Sequence, residues 1–132
     1  IFLDDEIRIY YGACDWYFMD WRKGYLALAT LRPDGWAGYE PVSTDAKAVV
    51  TTKPLKGDAA SLSITADVQA GGSVRVALVD GQGRELAKAK PVTQTVTDAK
   101  IAWKGNVQVS GSKRMRLKFE LKNAKLYSFG ME

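Results

Sequence analysis

Alternation of apolar and polar positions dominates the chain. From Lys113 to Leu121, Met115, Leu117, Phe119 and Leu121 point one way while Arg114, Arg116, Lys118 and Glu120 point the other, the period-two signature of a half-buried β-strand. Leu62, Ile64, Ala66 and Val68 alternate with Ser61, Ser63, Thr65 and Asp67, and Val74, Val76 and Leu78 resume the pattern after Ala70-Gly71-Gly72. Those glycines predict a tight reversal, and further turns are expected at Asp80-Gly81-Gln82-Gly83 and Lys122-Asn123-Ala124. Helical periodicity is nowhere sustained for three turns. The C-terminal part is therefore expected to be all-β, with strands and turns at the spacing of a sandwich.

The N-terminal part has a different pattern. Ile7, Ile9 and Tyr11 form one face of a strand that closes at Gly12. A second strand, Tyr25 to Leu31, carries apolar residues on both faces, with Tyr25, Ala27, Ala29 and Leu31 opposed to Leu26 and Leu28. Such a strand is normally covered on both sides, and an isolated hairpin is marginal in water. Residues 1–38 are accordingly expected to belong to a larger β-structure. The chain opens on Ile1 without a basic leader or a small-residue cleavage site, which reads as chain already inside a fold and not as a signal peptide. Asp4-Asp5-Glu6 is expected to be a solvated turn.

Composition narrows the chemistry. The 132 residues suit one compact domain, and 46% apolar with 26% charged residues is an ordinary globular balance. The longest stretches without Asp, Glu, Lys or Arg, such as Gly24–Leu31, reach eight residues, far short of the roughly 20 of a membrane-spanning helix. Histidine is absent, which removes His-based triads and His-ligated metal sites. The single Cys14 has no internal disulfide partner. Net charge is +4, unevenly spread: residues 1–41 hold seven acids and four bases, and the remainder eight acids and fifteen bases. Ten of the fourteen aromatic residues also lie within residues 1–41. The joint shift marks a boundary near residue 41.

At this point a family resemblance enters. The run Ile7-Arg8-Ile9-Tyr10-Tyr11-Gly12-Ala13-Cys14-Asp15, followed by Tyr25-Leu26-Ala27-Leu28-Ala29-Thr30, resembles the closing blade of five-bladed β-propellers, the glycoside hydrolases of the family 32 and 43 type and the related mannoside phosphorylases. Leu31-Arg32-Pro33-Asp34-Gly35-Trp36 and Thr51-Thr52-Lys53-Pro54-Leu55 are similar to a bacterial, family-32-like branch in which a C-terminal β-sandwich follows the propeller. Gly72-Ser73-Val74-Arg75-Val76, Trp103-Lys104-Gly105 and Asn123-Ala124-Lys125-Leu126-Tyr127-Ser128-Phe129 fit that sandwich. The resemblance implies an all-β chain: a blade remnant over 1–38, then a jelly-roll-like sandwich over 39–132. It also implies an exported bacterial protein whose earlier blades, the first partner to expect, supply the catalytic carboxylates. No catalytic residue, cofactor or metal is then expected in this chain. The function implied is that of a non-catalytic accessory sandwich, lending structural support and binding carbohydrate. The alternative is an interaction or self-assembly module pairing through the N-terminal hairpin.

Asp15 with Trp16, Tyr17 and Trp21 forms the candidate carbohydrate site, because rings bury sugar C–H surface while a carboxylate accepts from paired hydroxyls. The resemblance implies that Asp15 faces the propeller funnel, although the loop is more aromatic than the family's glycine-rich one. The bland reading of the same cluster is a hydrophobic loop packed over a blade edge. Asp15 and Asp20 lack the fixed separation and raised pKa that an acid/base pair requires. Ser110-Gly111-Ser112-Lys113 lies at a turn and not on the helix its Ser-x-x-Lys spacing needs. Gly81-Gln82-Gly83 lacks the glycine and helix of a phosphate loop. Basic residues after 41 alternate with Glu120 as on a solvated sheet face and lack interleaved stacking aromatics, so no nucleic-acid partner is expected. Trp103 reads as a sandwich residue.

Overall fold

A computed structural model describes residues 1–15, 23–56, 58–105 and 115–131. The chain is all-β, and the described residues contain one short helical element, a 3₁₀ turn at Ala59–Ser61. None of their helices is long and apolar enough to cross a membrane. Two compact units are present, Ile1–Trp36 and Ala37–Glu132.

The first unit is built on a regular antiparallel hairpin, β1 (Ile7–Cys14) and β2 (Gly24–Leu31). β1 runs two residues beyond the expected stop at Gly12 because Gly12 pairs with Leu26 without interruption. Asp4 and Asp5 lie in a turn closed by Leu3 N–H donating to Glu6 O at 2.9 Å, as expected for acids in a reversal. Ile1 then runs back beside β1, its amino group donating to Arg8 O and its carbonyl accepting from Arg8 N–H, both at 2.8 Å. The period-two register puts Tyr11 and Tyr25 on one face and Tyr10, Leu26 and Leu28 on the other. All five are exposed, Leu26 to 79%. One face of β2 is thus bare at Leu26 and Leu28, while on the other Tyr25 is exposed and Ala27, Ala29 and Leu31 are half-buried.

The second unit is a sandwich made from one sheet, with order β3-β7-β4-β5 and β6 also paired to β4. Its strands are β3 (Lys47–Thr51), β4 (Ser63–Val79), β5 (Glu85–Lys88), β6 (Val96–Lys100) and β7 (Arg116–Gly130). β4 and β7 are the long elements, and they pair antiparallel in two stretches. Residues 63–68 lie against 130–124 and residues 73–79 against 122–116. Between the stretches, four residues of β4 face Asn123 alone, a large bulge. Each long strand bends there. Phe119 and Phe129 lie ten positions apart on β7, which would separate them by about 33 Å on a straight strand. Their ring centroids are 5.4 Å apart, so the two ends of the strand enclose a common core.

This bend corrects two expectations. Ala70-Gly71-Gly72 and Lys122-Asn123-Ala124 are not reversals; both lie within continuous strands. The residue types that close a hairpin also serve a bulge, since Gly71 (φ 71°) and Asn123 (φ 43°) adopt left-handed backbone at the bend. Gly72 serves a different need: a Cβ there would overlap Asn123 O and sit 2.9 Å from both Gln69 O and Lys122 O. The turn expected at Asp80-Gly81-Gln82-Gly83 is present between β4 and β5. The strand expected from Lys113 begins at Arg116 in the described residues, since Lys113 and Arg114 lie outside them.

The half-sheets share one buried cluster. Val74, Val76, Leu78, Leu117, Phe119 and Leu121 of the first half-sheet (residues 73–79 with 116–122) meet Ile64, Ala66, Ala124 and Leu126 of the second (residues 63–68 with 124–130). All but Ala124 and Leu126 are positions that the alternation marks as inward. Trp103 is fixed at the cluster's margin, its Nε1–H donating to Ala59 O at 2.7 Å. Its polar end is thereby satisfied, as a half-buried indole requires.

Candidate functional site

Among the residues expected to bind carbohydrate, Asp15 is described and Trp16, Tyr17 and Trp21 lie outside the described residues, as does Asp20. Asp15 follows the last residue of β1, and its Oδ1 accepts from Lys23 N–H at 2.9 Å, one residue before β2 begins. The carboxylate thus ties the ends of the two strands together. Cys14, beside it, is exposed and in no disulfide.

The sandwich contributes a site that pattern reading missed. A polar cleft of about 290 Å³ lies against the outward face of the second half-sheet, beside the bend. Asp67 on β4 and Lys125 on β7 are direct cross-strand partners. Tyr127 is two positions along β7 on the same face, and its hydroxyl donates to Asp67 Oδ2 at 2.7 Å. Asn123 is fixed by its side-chain N–H donating to Ala70 O at 3.0 Å. The facing wall is the segment preceding β3, held at Tyr39 by reciprocal backbone hydrogen bonds with Leu126 at 2.9 Å. From that wall Glu40 reaches Lys125, with Oε2 to Nζ at 3.0 Å.

The cleft presents carboxylate acceptors, amide groups of both polarities and one cation. That mixture matches the hydroxyls of a sugar, each of which donates and accepts. It does not assemble a hydrolytic pair. Asp67 is engaged by Tyr127 and Glu40 by Lys125, whereas glycoside hydrolysis needs one carboxyl kept protonated and the other aimed at the anomeric carbon. These residues escape sequence reading because Glu40, Asp67 and Tyr127 are scattered along the chain and only the long-strand register unites them.

The first half-sheet turns a charged face outward. Lys118 and Glu120 pair at 2.9 Å, and Lys88 and Glu85 at 2.8 Å. The hydrogen bond from Lys118 holds the Glu120 carboxyl below its ordinary range, with Arg75 and Lys47 adding to the effect against a desolvation cost. The same bond holds the Lys118 ammonium above its ordinary range. Among the described residues, no group of three or more Cys, Asp or Glu side chains is placed to hold a metal ion. Comparisons with protein-family models, with curated proteins and with solved structures return no match.

Proposed function

We propose that this chain is a non-catalytic accessory module of a glycan-active enzyme of the propeller type, in which the sandwich braces a neighbouring β-structure and engages carbohydrate. The observation that carries the reading is the first unit. Its small sheet bares Tyr10, Leu26 and Leu28 on one face and Tyr11 and Tyr25 on the other, as a strand pair that belongs between other layers would. Further blades of a propeller are structures of the kind that would cover it. The sugar-binding half of the proposal rests on the cleft at Asp67, Asn123 and Tyr127, and on the aromatic sequence that follows Asp15.

Titration of the isotope-labelled protein with neutral and acidic polysaccharides, followed by NMR, tests this reading. Saturable shifts are expected either on the sandwich surface or in the 15–21 loop, with the loop response lost in Trp16→Ala and Trp21→Ala. Absence of saturable binding to every glycan in the panel would overturn it.

A second reading has its own observation. Within the described residues β2 pairs only with β1, which leaves its other edge open for strand addition, beside a face that exposes Leu26 and Leu28. Self-association by light scattering that vanishes on replacing Leu28 with Lys supports that module. A monomer at all concentrations removes it.

A further inference from the structure

The outward face of the first half-sheet follows from three registers. Lys47 lies opposite Lys122 across β3 and β7, Arg75 opposite Glu120 across β7 and β4, and Ala77 opposite both Lys118 and Lys88. Two cavities lie along this face, of about 270 and 140 Å³, and they share Arg75 and Glu120. They adjoin at the Arg75–Glu120 pair and together form the trough considered below, whose lining includes the small residues Ser73 and Ala77.

Six cations line the trough: Lys47, Arg75, Lys88, Lys104, Lys118 and Lys122. The acids lining it are Glu85 and Glu120, and each is taken by a lysine. Lys47, Arg75, Lys104 and Lys122 form no close ion pair among the described residues, although Glu120 stands opposite Arg75 and attracts both Arg75 and Lys47. The six cations remain in excess of the two acids. Like charges directly opposite on neighbouring strands destabilise a sheet, and Lys47 and Lys122 stand in that relation. An anion lying between them would relieve the repulsion, and several anionic groups spaced along the trough would engage the remaining cations together.

We infer that this trough binds an acidic polysaccharide, a chain carrying carboxylate or sulfate groups at regular intervals. The inference rests on the glycan reading above and specifies the ligand class for it. A run of point charges from lysine with the planar fork of Arg75 suits such groups. Small side chains in the lining leave room for sugar rings beside the cations. A nucleic acid would bring the same charge, but its bases need aromatic platforms, and the residues lining this trough include none.

The test measures affinity of the full chain for polygalacturonate and chondroitin sulfate, with mannan and single-stranded DNA alongside. Saturable binding to an acidic polysaccharide is expected, weakening by about tenfold or more between about 50 and 200 mM salt, as several screened contacts predict. The triple variant Lys47→Gln, Arg75→Gln, Lys122→Gln should lose at least about tenfold in affinity, the range expected from losing several such contacts. A charge-matched control, Lys53→Gln, Lys56→Gln, Lys100→Gln, should bind as the wild type does. Lys122→Glu alone should weaken binding in the same direction, which secures the result should the triple variant melt early.

Equal loss in the charge-matched control would overturn the inference, since net charge would then suffice. Tighter binding to DNA than to either acidic polysaccharide would also overturn it. Binding to mannan alone, with shifts at Asp67 and Tyr127, would overturn it while leaving the glycan reading standing. Binding to no glycan would remove both.

Discussion

Gly72→Ala should be among the most damaging single-methyl changes in the sandwich. The added Cβ would overlap Asn123 O and lie 2.9 Å from Gln69 O and from Lys122 O. All three obstacles are backbone, so no side chain can rotate away. β4 and β7 must instead part at the one place where both bend, loosening the register on either side. Overpacking of this kind costs typically 1–3 kcal/mol and more where backbone has to move, which places the loss at about 3 kcal/mol or above. Gly71→Ala is the matched comparison. A Cβ there meets nothing within 4 Å, but the backbone has φ 71°, so the cost is the left-handed strain alone, about 1–2 kcal/mol. For a domain of this size each kcal/mol lowers the melting temperature by roughly 4–8 °C. Scanning calorimetry should accordingly show a drop of roughly 12 °C or more for Gly72→Ala and a smaller one for Gly71→Ala. A Gly72→Ala protein that melts with the wild type, or above Gly71→Ala, would refute the close approach of the strands.

Three further outcomes are expected. Phe119→Ala removes a fully buried ring that touches Phe129 and should cost about 3–5 kcal/mol in urea unfolding; a loss below about 1 kcal/mol would mean the bent strand does not close on itself. Tyr127→Phe deletes the hydroxyl that donates to Asp67, with an expected cost of about 1–2 kcal/mol and a changed Asp67 carboxyl signal by NMR; an unchanged signal would deny the bond. Asp80 accepts from the backbone N–H groups of Arg84 and Gln82 and from the Arg84 side chain. The backbone bond from Arg84 is the leading cause that lowers its pKa. A lowered folded value means that its stabilisation is present above the unfolded pKa and lost as pH falls through the folded one. Asp80→Asn should therefore flatten the acid limb of the stability curve, and an NMR titration of Asp80 with a midpoint at the ordinary aspartate value would contradict the assignment.

Much of the fold was legible because strand periodicity is a local property. Leu117, Phe119 and Leu121, or Ile64 and Ala66, announce the buried side by position alone. The strand β2 was legible by its apolar residues on both faces, of which Leu26 and Leu28 are exposed and Ala27, Ala29 and Leu31 half-buried. The bend was not legible, because glycine and asparagine signal a departure from extended backbone without stating whether the chain reverses or only kinks. That choice is made by the partner strand: β4 and β7 carry their bulge at matched positions, so pairing continues past it. The cleft was hidden for a related reason. Asp67 and Tyr127 are 60 positions apart, and nothing local to either residue points to the other. Asp15 stood out in the sequence, and the structure gives it a local duty, closing the hairpin mouth through Lys23 N–H.

The pairing of β7 has a consequence for how the sandwich comes into being. Among the described strands β7 comes last in chain order, and it hydrogen-bonds to β3 on one side and along most of β4 on the other. The core residues of β4 have no strand on that side until it arrives. Contacts so distant in sequence incur their loop-closure cost before any pairing rewards it, so assembly should be slow and all-or-none, with β4 docking along both halves of β7 in one event. During synthesis β3 and the side of β4 that β7 will cover would wait unpaired. A nascent chain stalled before Arg116 would then be a substrate for chaperones, not a half-built sandwich.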